Sequence, residues 1–182
     1  MLDRAWRDPR AFVIGLDANA PAMAEASARA ARRPAKGGLP NALFAVAAAE
    51  RPPEELVGRI DELTIRFPWG SLLRGALALD DDAAAGLTAL LSPNGRIEAL
   101  LSVTSRDAQG SAVPPITATD RTGLATRWRA HGVCVDAFRP ATAEEVATAC
   151  STWARRLTAG GRALDRDVWR LELRRDPGPA DR

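Results

Sequence analysis

A chain of 182 residues can bury one substantial core and is short for two domains of ordinary size. Apolar residues make up 46% and charged residues 26%, a balance typical of globular proteins in water. No apolar run approaches the roughly 20 residues of a membrane helix, and the N-terminus lacks the apolar stretch of a secretory signal. We therefore expect a monomeric cytoplasmic protein that makes no contact with membranes.

Cysteine and histidine are too scarce for the usual metal sites. The two cysteines, Cys134 and Cys150, have no second pair, and His131 is the sole histidine. Zinc sites and disulfide frameworks need more ligands than this. The sequence therefore predicts no metal centre and no multi-histidine catalysis, and it places His131 beside Gly132 at a helix end.

Apolar runs and helical patterns alternate in the manner of an α/β protein. Strands are predicted at residues 12–17, 42–47, 62–67, 96–103, 133–139 and 168–173. Helices are predicted at residues 20–33, 71–91 and 117–130, with a turn at 92–95 and a capping box at 142–145 that opens a short helix. The end of a further helix is expected at residues 2–7.

This alternation predicts a mainly parallel sheet in one domain over residues 1–175, followed by a disordered tail at 176–182. The last strand alternates apolar and charged residues, so we expect it at a sheet edge, where it would make the sheet mixed. Trp6, Trp128 and Trp169 are expected in the core.

Asp17 resembles the acid that holds ribose hydroxyls in nucleotide-binding α/β folds, because it ends a buried strand before a helix. Such folds carry a glycine-rich loop upstream, yet the preceding 16 residues contain Gly15 alone. We therefore expect the first strand and its loop to be missing from this chain. Taken alone, Asp17 is more simply interpreted as a helix cap, although Asn19 is also a plausible N-cap.

Four blocks of sequence together resemble the kanamycin–apramycin resistance methyltransferases. They are Arg32-Arg-Pro-Ala-Lys-Gly-Gly-Leu-Pro-Asn41, Ala47-Ala-Ala-Glu50, Phe67-Pro-Trp-Gly-Ser-Leu-Leu73 and Ser151-Thr-Trp-Ala-Arg-Arg-Leu157. The resemblance implies a class I (Rossmann-like) S-adenosylmethionine-dependent methyltransferase fold. It also implies methylation of N1 of adenine 1408 in the 16S rRNA of the 30S ribosomal subunit, which confers aminoglycoside resistance.

The resemblance also assigns residues to the target base. Trp69 and Trp153 would sandwich a flipped adenine, the Pro68 carbonyl would accept from its amino group, and Ser151 would lie nearby. A core position is the usual alternative for tryptophan, but Pro68 and Gly70 place Trp69 in a loop after a strand. Because adenine N1 carries an in-plane lone pair, positioning can replace a general base.

The cofactor residues implied in the same way are Asp17, Ala49, Glu50 and Ser71. Without the resemblance, Glu50 would be interpreted as a surface acid.

Basic residues fall into two clusters, the first at residues 29–36 and the second at residues 150–175, although the net charge is only +2. Clusters of this kind neutralise RNA phosphates, whereas either one alone would be interpreted as a solvated helix face. The candidate RNA-binding residues are Arg29, Arg32, Arg33, Lys36, Arg155, Arg156 and Arg162.

Two other functions fit the residues less well. One is a ribosome- or RNA-binding remnant that cannot bind the cofactor. The other is a small-molecule methyltransferase, since a fold does not fix a function. The two loop tryptophans and the two basic clusters argue against the second.

The expected absence of a glycine-rich loop leads to a first prediction. We expect a form extended upstream of Met1 to bind S-adenosylmethionine, and the 182-residue chain to bind it weakly or not at all. Calorimetric titration of both forms measures this difference. Equal affinities would contradict the argument that an upstream segment is needed.

Overall fold

The computed structural model describes residues 1–103, 113–149 and 167–176. The chain divides into two compact units, Met1–Ala48 and Ala49–Arg182, called here the N-terminal unit and the C-terminal unit. None of the described helices is long and apolar enough to cross a membrane. A single domain over residues 1–175 and a disordered tail stay predictions.

The N-terminal unit contains a two-stranded parallel sheet that two helices contact. Its elements are α1 (Leu2–Arg7), β1 (Val13–Asp17), α2 (Ala20–Ala30), a 3-10 turn (Pro34–Lys36) and β2 (Ala42–Val46). Asn41 holds α1 to the sheet, because its side-chain nitrogen donates to the carbonyl oxygens of Ala5 and Ala11, both at 2.9 Å.

Helix α2 begins where the sequence predicts. The Asn19 side chain accepts from the backbone N–H of Ala22, and Pro21 lies in the first turn. The helix ends at Ala30, before the predicted end at residue 33. Arg33 is extended, with φ −60° and ψ 142°, because the ring of Pro34 disfavours helical backbone in the residue before it.

The C-terminal unit contains a four-stranded mixed sheet in the order β3-β4-β6-β5. Its strands are β3 (Ile60–Arg66), β4 (Leu91–Leu101), β5 (Val133–Pro140) and β6 (Trp169–Arg175). Its helices are α3 (Gly70–Ala76), α4 (Asp81–Leu90), α5 (Arg121–Ala130) and α6 (Ala143–Thr148), with 3-10 turns at Glu54–Leu56 and Ala118–Asp120. The pair β3-β4 is parallel, whereas β6 is antiparallel to both β4 and β5.

The expectation that the last strand lies at an edge is wrong. Strand β6 lies between β4 and β5, and Trp169, Leu171 and Leu173 are buried on one of its faces. The intervening residues Arg170 and Glu172 lie on the other face and are half-buried. Alternation of apolar and charged residues is typical of a half-exposed strand, but here the charged residues are paired within the sheet.

A ladder of ion pairs crosses this second face of the sheet. The carboxylate of Glu98 on β4 lies 2.5 Å from the guanidinium of Arg66 on β3 and 2.7 Å from that of Arg170 on β6. These side chains are about one-quarter exposed or less, so the pairs are only partly shielded from water. The ladder ties the three strands together beside their backbone hydrogen bonds.

Glu145 on α6 attaches that helix to the same ladder. Its carboxylate lies 2.6 Å from the Arg139 guanidinium and 3.2 Å from that of Arg170. It also accepts from the backbone N–H of Thr142, and this completes the capping box that the sequence predicts. The hydrogen bonds from Arg139 hold the pKa of Glu145 at about 2, below its usual value.

Two tryptophans lie in the core as expected, and the third does not. Trp128 is 0% exposed and Trp169 is 7% exposed. Trp128 donates from Nε1 to the Ala76 carbonyl at 3.3 Å. The core prediction for Trp6 is wrong, since its residue is 73% exposed. On α1 the buried residue is Ala5, and the next position along a helix points about 100° away.

The single helix predicted at residues 71–91 is two helices, α3 and α4. The alanine- and leucine-rich sequence shows no interruption in its apolar pattern where α3 ends. The helix nevertheless stops there, and Ala78, between α3 and α4, adopts φ +48°. Asp80 then caps α4 by accepting from the Ala83 N–H at 3.2 Å. The run of acids at residues 80–82 was therefore the available signal for a new helix start. The predicted turn at residues 92–95 is an irregularity within β4.

The low pKa of Glu145 leads to a pH prediction. Its folded pKa lies below the unfolded value of about 4.3, so its ion pair stabilises the folded protein above about pH 5 and progressively less toward pH 2. Glu145→Gln should therefore be less stable than wild type near neutral pH, with a difference that shrinks below pH 5. Denaturant unfolding at several pH values measures this.

Glu144→Gln is the matched control, because Glu144 is on the same helix and makes no ion pair in the described part of the chain. Its stability difference from wild type should not change with pH in the same way. An equal pH trend in the two variants would contradict the role given to Glu145.

Candidate functional site

The turn that follows β3 presents one tryptophan to solvent. Trp69 is 81% exposed, whereas the preceding Pro68 is buried. Phe67 packs against the small apolar cluster of Leu100, Val146 and Val168. Phe67 and Pro68 thus anchor the turn, and Trp69 lies in solvent. The alternative interpretation of Trp69 as a core residue is therefore excluded.

Backbone strain accompanies this exposure. Phe67 has φ +52°, in the left-handed region that a bulky residue before proline disfavours. Its N–H donates to the Leu100 carbonyl at 2.8 Å, which fixes the turn to the end of β4. Gly70 follows with φ +60°, a conformation that glycine adopts without cost. Strained backbone that surrounding contacts hold in place is concentrated at functional sites.

Ser71, predicted beside the cofactor, lies in the first turn of α3 and is exposed. Trp69 is the N-cap residue of this helix but makes no side-chain capping bond. Its indole is therefore not used to hold α3 and remains available to a ligand.

Asp17 ends β1 in the N-terminal unit and is exposed. One carboxylate oxygen accepts from the Asn19 N–H at 2.8 Å, while Asn19 itself caps α2. The interpretation of Asp17 as the helix N-cap is therefore wrong. Its second carboxylate oxygen makes no hydrogen bond within the described residues, and a carboxylate of this kind suits a pair of ribose hydroxyls.

Ala49 and Glu50 form a half-buried turn at the start of the C-terminal unit. Gly86 on α4 lies directly against this turn. A methyl group added at Gly86 would lie 1.9 Å from the Ala49 carbonyl oxygen and 3.2 Å from Pro52 Cδ. Only glycine permits this approach, so α4 fixes the position of the turn that carries Glu50.

The first basic cluster is fully accessible. Its members lie on the last turns of α2 and the loop after it, and all are exposed: Arg29, Arg32, Arg33 and Lys36. None of the four makes an ion pair within residues 1–103, 113–149 and 167–176. Unpaired guanidinium and ammonium groups on one short segment can contact successive phosphates.

The second cluster is different in its described part. Arg170 belongs to the ion-pair ladder, Arg174 lies 3.2 Å from the carboxylate of Asp136, and Arg175 donates to the Leu91 carbonyl. These arginines stabilise the sheet. The remaining predicted residues of the site lie outside the described residues: Ser151, Trp153, Arg155, Arg156 and Arg162.

Sequence reasoning missed two residues that shape the site. Phe67 anchors the exposed turn, and Gly86 allows the Ala49 turn to pack closely against α4. A bulky residue before Pro68 was a weak signal for the role of Phe67. A glycine inside a helical pattern was the signal for the role of Gly86, since such a glycine often has a packing reason.

Comparison with known proteins identifies the family. The model of the family "NpmA: 16S rRNA (adenine(1408)-N(1))-methyltransferase" matches residues 1–171. The 16S rRNA (adenine(1408)-N(1))-methyltransferase of Streptoalloteichus hindustanus is 38% identical over 88% of this chain and 76% of its own length.

Solved structures agree with this assignment. The 16S rRNA methyltransferase KamB superposes with a TM-score of 0.82 at 35% identity, over 95% of this chain and 80% of that one. A mutant of the enzyme from Catenulisporales acidiphilia, crystallised with cosubstrate SAM, gives 0.85 at 31% identity, over 100% of this chain and 82% of that one. The fold is therefore the Rossmann-like fold of S-adenosylmethionine-dependent methyltransferases, and the chain belongs to the 16S rRNA (adenine(1408)-N(1))-methyltransferase family.

Proposed function

We propose that this chain transfers a methyl group from S-adenosylmethionine to N1 of adenine 1408 in 16S rRNA. The substrate is the assembled 30S subunit, the protein acts as a monomer in the cytoplasm, and the modified ribosome resists aminoglycosides. Family membership supports the reaction. The observation that links the reaction to particular residues is the exposure of Trp69 on an anchored, strained turn.

Trp69 binds the target adenine by stacking. A base inside an RNA helix must leave its stack before an enzyme can reach its ring nitrogen. Stacking on one aromatic side chain replaces roughly 1–3 kcal/mol of the base-stacking free energy that is lost. Trp153 supplies the opposite face, the Pro68 carbonyl accepts from the adenine amino group, and Ser151 donates nearby. The anchoring of Phe67 fixes the backbone of the turn that carries Trp69, so this backbone need not be ordered when the base binds.

The chain needs no general base for this reaction. Adenine N1 has a lone pair in the ring plane at neutral pH, and S-adenosylmethionine supplies a methyl group on a sulfonium that leaves as a neutral thioether. The N1–carbon bond forms as the sulfur–carbon bond breaks, and no proton moves. The contribution of Trp69 and its partners is alignment, together with the attraction of an aromatic face for the cationic methylated base.

The proposal assigns cofactor roles within each unit separately. In the N-terminal unit, the carboxylate of Asp17, with one oxygen free of hydrogen bonds among the described residues, binds the ribose hydroxyls. In the C-terminal unit, the Ala49–Glu50 turn, fixed by Gly86, binds the adenine ring, and Ser71 contacts the cofactor. These residue types fit the hydroxyl and amino groups of S-adenosylmethionine.

The basic residues bind the rRNA backbone. Arg29, Arg32, Arg33 and Lys36 lack ion-pair partners within the described residues and are available to phosphates, and Arg155, Arg156 and Arg162 form the second contact region. Each neutralised phosphate releases counterions, so binding should weaken steeply with salt.

Trp69→Ala tests the proposed mechanism. We expect a loss of methylation of about 5- to 150-fold, because about 1–3 kcal/mol of stacking is removed, and Trp69→Phe should retain part of the activity. The melting temperature should stay near that of wild type, since Trp69 is 81% exposed. Primer extension across adenine 1408 in treated 30S subunits measures the product in the upstream-extended form, which also serves for the cofactor measurements below.

A folded Trp69→Ala protein with full methylation would contradict the stacking role. The cofactor affinity of this variant serves as the internal control, because no contact between the Trp69 ring and the cofactor is proposed.

Gly86→Ala tests the cofactor turn. The added methyl group must displace Ala49, so we expect a weaker affinity for S-adenosylmethionine and a destabilisation of about 1–3 kcal/mol from overpacking. Gly123→Ala is the matched control, because that glycine is exposed on α5 and a methyl group there meets only the end of the Arg127 side chain at 3.3 Å.

Gly75→Ala separates local from general damage. A methyl group at Gly75 would meet the Ala83 Cβ at 2.5 Å, between α3 and α4 and away from the Ala49 turn. It should lower stability without a specific loss of cofactor affinity. Equal affinities in the Gly86→Ala and Gly75→Ala proteins, measured by calorimetry below their melting temperatures, would argue against a fixed Ala49–Glu50 turn.

A further inference from the structure

Trp6 is a large apolar side chain that the fold of the N-terminal unit leaves in solvent. It lies on α1 and is 73% exposed, although tryptophan is highly buried on average. Exposed tryptophans are enriched at binding surfaces, because the indole offers a large contact area with few rotatable bonds.

The indole of Trp6 lines a shallow depression of about 270 Å³. The other lining residues come from α1, from the end of α2 and from the loop that follows the 3-10 turn: Leu2, Asp3, Arg29, Ala30, Gly37 and Leu39. Pockets for drug-sized ligands span roughly 300–1,000 Å³. The volume of this depression lies just below that range and is sufficient for one planar ring.

The charges around the depression favour an anionic partner. The N-terminal unit has seven basic and four acidic side chains. Asp3 lies 3.1 Å from the guanidinium of Arg7, and Asp8 lies 3.6 Å from that of Arg4. Both carboxylates are therefore neutralised by neighbours on α1, whereas Arg29 at the rim makes no ion pair within the described residues.

The basic cluster adjoins the same rim. Lys36 directly precedes Gly37, which lines the depression, and Arg32 and Arg33 lie between α2 and that turn. An aromatic face flanked by unpaired cations is the arrangement that binds single-stranded nucleic acid, where bases stack and phosphates are neutralised.

We propose that Trp6 is a second stacking platform, which binds an unpaired nucleotide of the rRNA substrate while Arg29 contacts its phosphate. This platform lies apart in sequence from the residues assigned to the target adenine, so its role is to hold the substrate and not to present the methylated base. The proposal rests on the proposed function for the identity of the RNA.

The test compares 30S affinity across a range of salt concentrations for the full chain and its variants. Trp6→Ala should weaken binding by about 5- to 150-fold, which corresponds to the loss of one stacked base. The slope of log affinity against log salt should not change, because no charge is removed. Arg29→Ala should instead flatten that slope by about one phosphate contact.

Trp6→Phe and Phe12→Ala are the matched variants. Phenylalanine at position 6 keeps an aromatic face and should restore part of the affinity. Phe12 belongs to the same unit, is 64% exposed and does not line the depression, so Phe12→Ala should bind like wild type. Circular dichroism and thermal melting confirm that each variant is folded, as expected for surface substitutions.

Wild-type affinity in Trp6→Ala would overturn the proposal, as would an equal loss in Phe12→Ala. A dimer of wild type that Trp6→Ala abolishes, without a change in 30S affinity, would assign the surface to self-association and would also overturn it. An upstream-extended wild-type form that binds 30S through Trp6 without methylating adenine 1408 would refute the proposed function alone. Absence of any 30S binding by wild type would refute both.

Discussion

The placement of β6 between β4 and β5 is the constraint on which the C-terminal unit depends. Because β6 alternates apolar and charged residues, its position in the centre gives the sheet two different faces. Trp169, Leu171 and Leu173 enter the main core, while Arg170 joins Glu98 and Glu145 on the other face. An unpaired charge at the centre of a sheet would be costly, so the strand and its ion-pair ladder require each other.

The ladder and the small apolar cluster link the candidate site to the sheet. Arg66 is the last residue of β3, and Phe67, the next residue, packs with Val146 of α6. Glu145, also on α6, pairs with Arg170 of β6. The turn that exposes Trp69 and the helix that precedes residues 150–166 are thus held by one set of contacts. A strained turn persists where the surrounding structure holds it in this way.

Ion pairing divides the arginines into two groups with different roles. Those on the sheet, such as Arg66 and Arg170, have carboxylate partners and contribute to the fold. Those at the end of α2 and in its following loop lack such partners within the described residues, so their charges are not cancelled by neighbours, which supports their proposed contact with RNA. The net charge of +2 therefore understates the positive charge of this segment.

The sequence by itself determined the alternation of strands and helices, the capping of α2 and α6, and the four blocks that identify the family, because these are local patterns. It also placed Trp69 in an exposed loop, since Pro68 and Gly70 flank it. Only the tertiary structure decided that the last strand is central, that Trp6 is exposed and that Gly86 receives the Ala49 turn. Each of these depends on a partner distant in the chain, or on which face of an element is covered, and no local pattern encodes that.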